Sequence, residues 1–214
     1  LGINKISAIE FGCAGGAGLL ALEKISAKVK QITGVDIEIF GFDTGEGLPP
    51  PVDYRDLPYH WKQGFFKMDK LALEGRLKKA KIVYGDVSDT VDNFFDKYSP
   101  SPIGCIFHDL DFYSSTKASF KILQNCNDNC LPRVYNYFDD IIGSELELYN
   151  QYTGELLAIS EFNNENKNMK FCEAQHLITQ KNSPAWYHQI RILHNFDNKN
   201  YNTFISLEEQ QLPL

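Results

Sequence analysis

The chain has 214 residues, a formal net charge of -7 and a pI near 5.2, which argues against a basic surface for nucleic acid or anionic lipid. Its hydrophobic content of 43% suffices for one large core, while no apolar run approaches the roughly 20 residues that span a bilayer. We therefore expect one domain over residues 1–214, in a cytoplasmic protein without nucleic-acid or membrane partners.

The N-terminus and the cysteines give little information about the function. Leu1 is not an initiator methionine, so the sequence is compatible with a preceding segment such as a lid. The five cysteines show no metal-ligand spacing. Cys126 and Cys130 lie four residues apart, but no partner motif accompanies them, and we interpret them as unpaired thiols in a reducing compartment.

Short β-rich runs alternate with helical periodicity, as in a parallel sheet with crossover helices. The expected strands are Ile6 to Phe11, Ile37 to Phe42, Lys81 to Tyr84, Ile103 to Phe107 and Val134 to Phe138. Further strands are expected over Cys172 to Leu177, Gln189 to His194 and Thr203 to Ile205. The fold class is α/β: a Rossmann-like, doubly wound, mostly parallel sheet with a C-terminal antiparallel strand or hairpin.

A glycine-rich run, Glu10-Phe11-Gly12-Cys13-Ala14-Gly15-Gly16-Ala17-Gly18, spans the end of the first strand and the turn after it. Its glycines let the backbone approach a ligand, and the following helix presents free N–H groups. Asp43, at the carboxyl end of the second strand, can accept hydrogen bonds from a ribose diol. The candidate cofactor residues here are therefore Glu10, Gly12, Gly15, Gly16 and Asp43.

The same run also fits G-x-G-x-x-A when it is read from Gly16, which is the fingerprint of dinucleotide-binding proteins. Gly16 lies several residues beyond the strand end at Phe11, whereas a dinucleotide turn begins at the strand end. An NAD(P)-dependent oxidoreductase therefore remains the alternative enzyme class.

Acidic residues follow the fourth and fifth strands. Asp109 and Asp111 come after Phe107, and Asp139 and Asp140 end the fifth strand. Because the carboxyl ends of neighbouring parallel strands face one crevice, the four carboxylates are expected to converge. Mg2+ or Mn2+ would compensate their repulsion. The alternative is that these aspartates only cap helices on two separate loops.

Three segments resemble the macrocin O-methyltransferase family of class I S-adenosylmethionine-dependent methyltransferases. Phe42 to Pro49 is similar to the family's F-D-S-F-E-G-L-P, Asp109 to Lys117 to L-D-G-D-x-Y-x-S-T-K, and Asp139 to Ile141 to D-D-Y. The glycine-rich run resembles the E/D-x-G-x-G-x-G stretch of class I methyltransferases, with Ala14 in the middle glycine position. The resemblance covers roughly residues 6–145.

The resemblance implies a function. The cofactor would be S-adenosylmethionine, with Gly85 and Asp86 after the third strand contacting the adenine. Asp111 would be the general base, and the metal ligands would be Asp109, Asp139 and Asp140. The acceptor would be a hydroxyl of a sugar or other vicinal diol, on a small molecule or glycan. A homo-oligomer is compatible with the sequence.

Other interpretations stay open. The imidazole of His108 titrates near neutrality and is a second candidate base, or it pairs with Asp109. Trp61, Phe65 and Phe66 either wall an acceptor pocket or pack in the ordinary way. A catalytically silent cofactor-binding domain is the third class of function, and the four intact aspartates argue against it.

Overall fold

The computed structural model describes residues 1–124, 126 and 128–206. Its strands are β1 (Lys5–Phe11), β2 (Asp36–Asp43), β3 (Lys81–Tyr84), β4 (Ile103–His108), β5 (Cys130–Phe138), β6 (Met169–Glu173) and β7 (Ile190–Asn195). They form one sheet in the order β3-β2-β1-β4-β5-β7-β6. The strands from β1 to β5 are parallel, and β7 runs antiparallel to β5 and β6. The expected fold class is confirmed.

The helices are α1 (Ala17–Thr33), α2 (Lys70–Glu74), α3 (Val87–Thr90), α4 (Phe94–Tyr98), α5 (Tyr113–Ser119), α6 (Lys121–Gln124), α7 (Gly154–Glu165) and α8 (Gln175–Ile178). Short 3-10 turns cover Tyr54–Asp56, Asp139–Ile141 and Ala185–Gln189. Among the described helices, none is long and apolar enough to cross a bilayer.

The core lies against both faces of the central strands, as expected for parallel strands covered by helices. Phe11, Phe40, Phe42, Ile106 and Phe138 are almost completely buried. The rings of Phe40 and Phe42 each meet Phe94 of α4 at 5.1 Å between centroids. This packing fixes the carboxyl ends of the parallel strands along one edge of the sheet.

The strand order reverses at β1, which lies between β2 and β4. A crevice is expected at such a switch point, outside the carboxyl ends of the two strands. Gly12 begins the turn after β1 at φ 81, and a Cβ atom there would lie 1.7 Å from the carbonyl oxygen of Asp109. The two strand ends therefore approach so closely that position 12 has no room for a side chain.

The C-terminal strand predictions were partly wrong. The predicted strand Cys172 to Leu177 ends at Glu173, which pairs with Arg191 near the start of β7. Residues after Glu173 have no partner strand, and Gln175–Ile178 forms α8 instead. Thr203 to Ile205 forms no strand. An alternating apolar pattern does not by itself produce a strand, because the backbone N–H and C=O groups also need a neighbouring strand as hydrogen-bond partner.

The cysteine prediction was also wrong. Cys126 and Cys130 are joined by a disulfide, with their Cα atoms 5.2 Å apart. That Cα separation lies within the range that a disulfide requires. Cys13, Cys105 and Cys172 are free thiols.

The close approach at Gly12 predicts a large loss of stability in Gly12→Ala. The added methyl would collide with the Asp109 backbone and also hold a positive φ, so we expect a loss of at least about 3 kcal/mol in the free energy of unfolding. Urea denaturation followed by circular dichroism measures it. Gly15→Ala is the matched control, because a Cβ there has no neighbour within 4 Å. Equal stability of the two variants would contradict the contact.

Candidate active site

A cavity of about 380 Å³ opens at the carboxyl ends of the parallel strands. Gly12, Asp43, Gly85 and Asp86 contribute to its lining, and so do the loops after β4 and β5. These four of the residues that the sequence assigned to a cofactor therefore border the same space as the residues that it assigned to a metal.

The glycine turn contributes less of the lining than the sequence indicated. Gly12 and Ala14 line the cavity, whereas Gly15 and Gly16 do not. Gly16 is the left-handed residue that begins α1, and a Cβ there would meet the Leu73 side chain at 2.1 Å. Gly16 therefore has a structural role as the residue that begins α1, and Gly15 is exposed in the turn.

Glu10 lies beneath the glycine turn rather than in the cavity. Its side chain is buried, and its Oε2 atom has no hydrogen-bond partner among the described residues. A Cβ at Gly18 would come within 1.9 Å of its Oε1 atom, so the carboxyl is wedged against α1. Burial, followed by the charges of Asp109 and Asp43, raises the pKa of Glu10 to about 8.

Asp43 is at the end of β2 and already holds the glycine turn. Its Oδ2 atom accepts hydrogen bonds from the N–H groups of Cys13 and Ala14 at 2.8 and 2.9 Å, and its Oδ1 atom accepts one from Gly45 at 2.6 Å. A carboxylate has about four acceptor positions. The three hydrogen bonds leave about one acceptor position for a ligand, whereas a ribose diol would fill two.

Gly85 and Asp86 follow β3 and line the cavity, as the resemblance implied. Asp86 also caps α3, because its Oδ1 atom accepts from the Ser88 N–H at 2.8 Å. The Ser88 hydroxyl donates to the same Asp86 oxygen.

All four aspartates that were expected to converge line the cavity. Asp109 is exposed to the cavity, but most of its surroundings are protein atoms. The resulting desolvation, and then the charges of Asp140, Asp139 and Asp43, raises its pKa to about 7. Burial, and then the negative charge of Asp140, also raises the pKa of Asp111. The aspartates therefore repel one another without a compensating positive charge.

Hydrogen bonds fix the orientation of this cluster. Asp140 accepts from the Tyr149 hydroxyl at 2.7 Å through Oδ1 and from the Asp111 N–H at 2.8 Å through Oδ2. Asp139 accepts from the Tyr137 hydroxyl at 2.7 Å. Asp111 has a left-handed backbone with φ 59, which turns the chain so that its N–H reaches Asp140.

The sequence had not indicated Tyr149 or Glu155 as part of this arrangement. Glu155, in the first turn of α7, is fully buried and accepts from the Asp140 N–H at 3.0 Å. Its Oε1 atom has no partner among the described residues. Neither residue carries a local motif, because each reaches Asp140 only through the fold.

His108 lies away from the cavity. Its ring is fully buried and stacks on Phe138 at 4.4 Å between centroids, with contacts at 3.3 Å to Asn136 and Ser119. Burial lowers its pKa to about 3. Since β4 alternates its side chains, position 108 points into the core while Asp109 reaches the cavity. The geometry does not support His108 as a base or as a partner of Asp109.

The cavity suits a hard cation in its donor chemistry. Within the described residues, no three histidine, cysteine or carboxylate side chains lie close enough together to hold a metal ion. The lining offers carboxylate oxygens, and none of its described residues is Lys, Arg or His. Mg2+ commonly uses one or two protein carboxylates and completes its shell with water. Asp109, Asp139 and Asp140 have the donor chemistry that such an ion prefers.

No family profile and no curated protein sequence matches this chain. Solved structures do match its fold. CalS11, a calicheamicin methyltransferase, aligns with a TM-score of 0.60 at 20% identity, over 88% of this chain and 71% of CalS11. An apo structure of CalS11, described as a TDP-rhamnose 3'-O-methyltransferase, aligns at 0.50 with 19% identity over the same shares.

The O-methyltransferase NovP aligns with a TM-score of 0.55 at 14% identity, over 74% of this chain and 63% of NovP. This chain thus matches less than two thirds of NovP. At these identities the likeness establishes the fold, and the fold of this chain is the Rossmann-like fold of these methyltransferases.

Proposed function

We propose that this chain is an S-adenosylmethionine-dependent O-methyltransferase that uses a divalent cation and acts on a hydroxyl of a small molecule or glycan. One observation carries the proposal: a single cavity is bordered both by the glycine turn with Asp43 and by four aspartates after two adjacent parallel strands. The fold that the chain has in common with small-molecule O-methyltransferases supports the same function.

The cofactor would occupy the side of the cavity that Gly12, Asp43, Gly85 and Asp86 border. Gly12 lines the cavity, and the remaining acceptor position of Asp43 suits a ribose hydroxyl. Asp86 can accept from an exocyclic amine while it caps α3. An oxidoreductase that binds NAD(P) would use a similar turn but has no use for the aspartate cluster.

The aspartates would border the part of the cavity where the acceptor hydroxyl reacts. Asp109, Asp139 and Asp140 would hold the cation, and Tyr137 and Tyr149 orient the last two through their hydroxyls. When bound, S-adenosylmethionine supplies a sulfonium methyl whose bonding pair remains on sulfur, and Mg2+ supplies charge that lowers the pKa of a nearby hydroxyl.

Asp111 would take the acceptor's hydroxyl proton. It lies two residues after Asp109 and lines the cavity. Burial, and then repulsion from Asp140, raises the pKa of Asp111. The positive charge of a nearby cation would oppose this rise and favour the ionised form that a base requires.

S-adenosylhomocysteine should bind the metal-free protein, because the cofactor residues do not depend on the aspartate cluster. Asp43→Asn should weaken its affinity by about tenfold or more, since the new amide donors oppose the N–H groups of Cys13 and Ala14. Calorimetry measures both affinities. Asp69→Asn is the control, since Asn also caps a helix well. Preferential binding of NAD would overturn the cofactor assignment.

Removal of divalent cations should abolish methyl transfer. With EDTA present, no cation offsets the repulsion among the aspartates or polarises the acceptor hydroxyl, and added Mg2+ or Mn2+ should restore turnover. Mass spectrometry of methylated products from a panel of vicinal diols and catechols gives the readout. Full activity in EDTA would mean that the cluster works as an acid–base network without a metal.

Asp111→Asn should lower methyl transfer by about a hundredfold or more, because the amide keeps the shape but cannot take a proton. Asn also tolerates the left-handed backbone at this position. Calorimetry should find cofactor and metal affinities within about threefold of the parent protein. Asp96→Asn, on the exposed surface of α4, is the matched control. An active Asp111→Asn variant would remove Asp111 from the mechanism.

A further inference from the structure

The walls of the cavity differ in polarity. Apolar side chains from two loops border it: Leu48, Trp61 and Phe66 from the segment after β2, and Ile142 from the segment after β5. Phe66 is 49% exposed and Ile142 is 39% exposed. We call these four residues the apolar rim. Large side chains that stay this exposed beside a cavity suggest a surface that a ligand covers.

The apolar rim adjoins the aspartates. Ile142 follows Asp140 by two residues, and Tyr149, farther along the same loop, donates to the Asp140 carboxylate. The other loop is tied to this one, because the Tyr59 hydroxyl donates to the carbonyl oxygen of Glu147. A molecule that presents a hydroxyl to the aspartates would therefore lay the rest of its body on the rim.

The rim is built as an ordered surface. Trp61 and Phe66 meet edge to face, with 5.6 Å between ring centroids. The Leu48 N–H donates to the Phe65 carbonyl oxygen and the Gly64 N–H to the Leu48 carbonyl oxygen, both at 2.9 Å. These contacts fix the loop before any ligand arrives, so an apolar ligand loses little free energy in ordering it.

The charge of the lining selects against anionic acceptors. Seven carboxylates line the cavity: Asp43, Asp86, Asp109, Asp111, Asp139, Asp140 and Glu147. Phosphate and carboxylate groups are usually recognised by Arg, Lys or a helix N-terminus. The described lining residues include no Lys or Arg. Among the described lining side chains, a phosphate on the acceptor would find no basic group, so its one positively charged partner would be the cation at the aspartates, where it would compete with the reacting hydroxyl.

We infer that the acceptor is a hydroxyl compound without phosphate or carboxylate groups, whose apolar body lies on the apolar rim. The inference rests on the proposed function and narrows its substrate class. It favours aryl or alkyl glycosides and catechols, and it disfavours nucleotide-activated sugars. Phe66 and Ile142 are then residues that determine specificity for the acceptor.

The test uses protein saturated with S-adenosylhomocysteine and Mg2+. Saturation-transfer NMR and calorimetry compare methyl glycosides, 4-nitrophenyl glycosides and nucleoside diphosphate derivatives of the same sugars, together with catechols. Aryl compounds should bind at least about tenfold more tightly than the nucleoside diphosphate derivatives. Tighter or equal binding of the nucleoside diphosphate derivatives overturns the inference, and so does a failure of every aryl compound to bind.

Two variants test the rim itself. Phe66→Ala and Ile142→Ser should each weaken binding of the aryl compounds by about fivefold or more, while binding of S-adenosylhomocysteine stays unchanged. Leu71→Ala is the control, because Leu71 is 84% exposed and does not line the cavity. Unchanged aryl binding in both rim variants overturns the role of the rim. If S-adenosylhomocysteine itself fails to bind, the proposed function fails, and that result is distinct from either outcome.

Discussion

Mutual repulsion among carboxylates is the constraint on which this site depends. Four aspartates border one cavity, and the described lining carries no basic side chain. Isolated buried charges of one sign destabilise a fold unless protons, hydrogen bonds or a counter-ion compensate them. Tyr137 and Tyr149 supply part of the compensation through their hydroxyls. The remaining negative charge is the reason that we propose a cation at this cluster and infer an acceptor without anionic groups.

The fold brings these aspartates to one crevice. The strand order reverses at β1, so β4 returns beside it, and the loops after β4 and β5 open toward the same crevice. Gly12 allows the ends of β1 and β4 to approach within backbone contact. Behind the strand ends, the buried ring of His108 stacks on the buried rings of Phe11 and Phe138. The core therefore positions the aspartates that the loops present.

The sequence predicted the parts of the molecule that depend on local patterns. Short β-rich runs located the five parallel strands, and the aspartates after the fourth and fifth strands do line one cavity. Features that depend on distant neighbours were not predictable. Glu173 is the last residue of its strand that pairs with β7, and the contact between Tyr149 and Asp140 exists only in the folded chain. His108 looked catalytic beside Asp109, yet strand alternation turns it into the core.

The central claim is that the aspartate cluster binds a divalent cation beside a cofactor site. Thermal unfolding in the presence of S-adenosylhomocysteine, with and without Mg2+, tests it most directly, because a ligand that binds only the folded state stabilises it by about 2.7 kcal/mol at one hundred times its Kd. The account predicts that Mg2+ raises the unfolding temperature of the parent protein and has little effect on Asp109→Asn. An unfolding temperature that does not respond to Mg2+, or that rises equally in the variant, would contradict it.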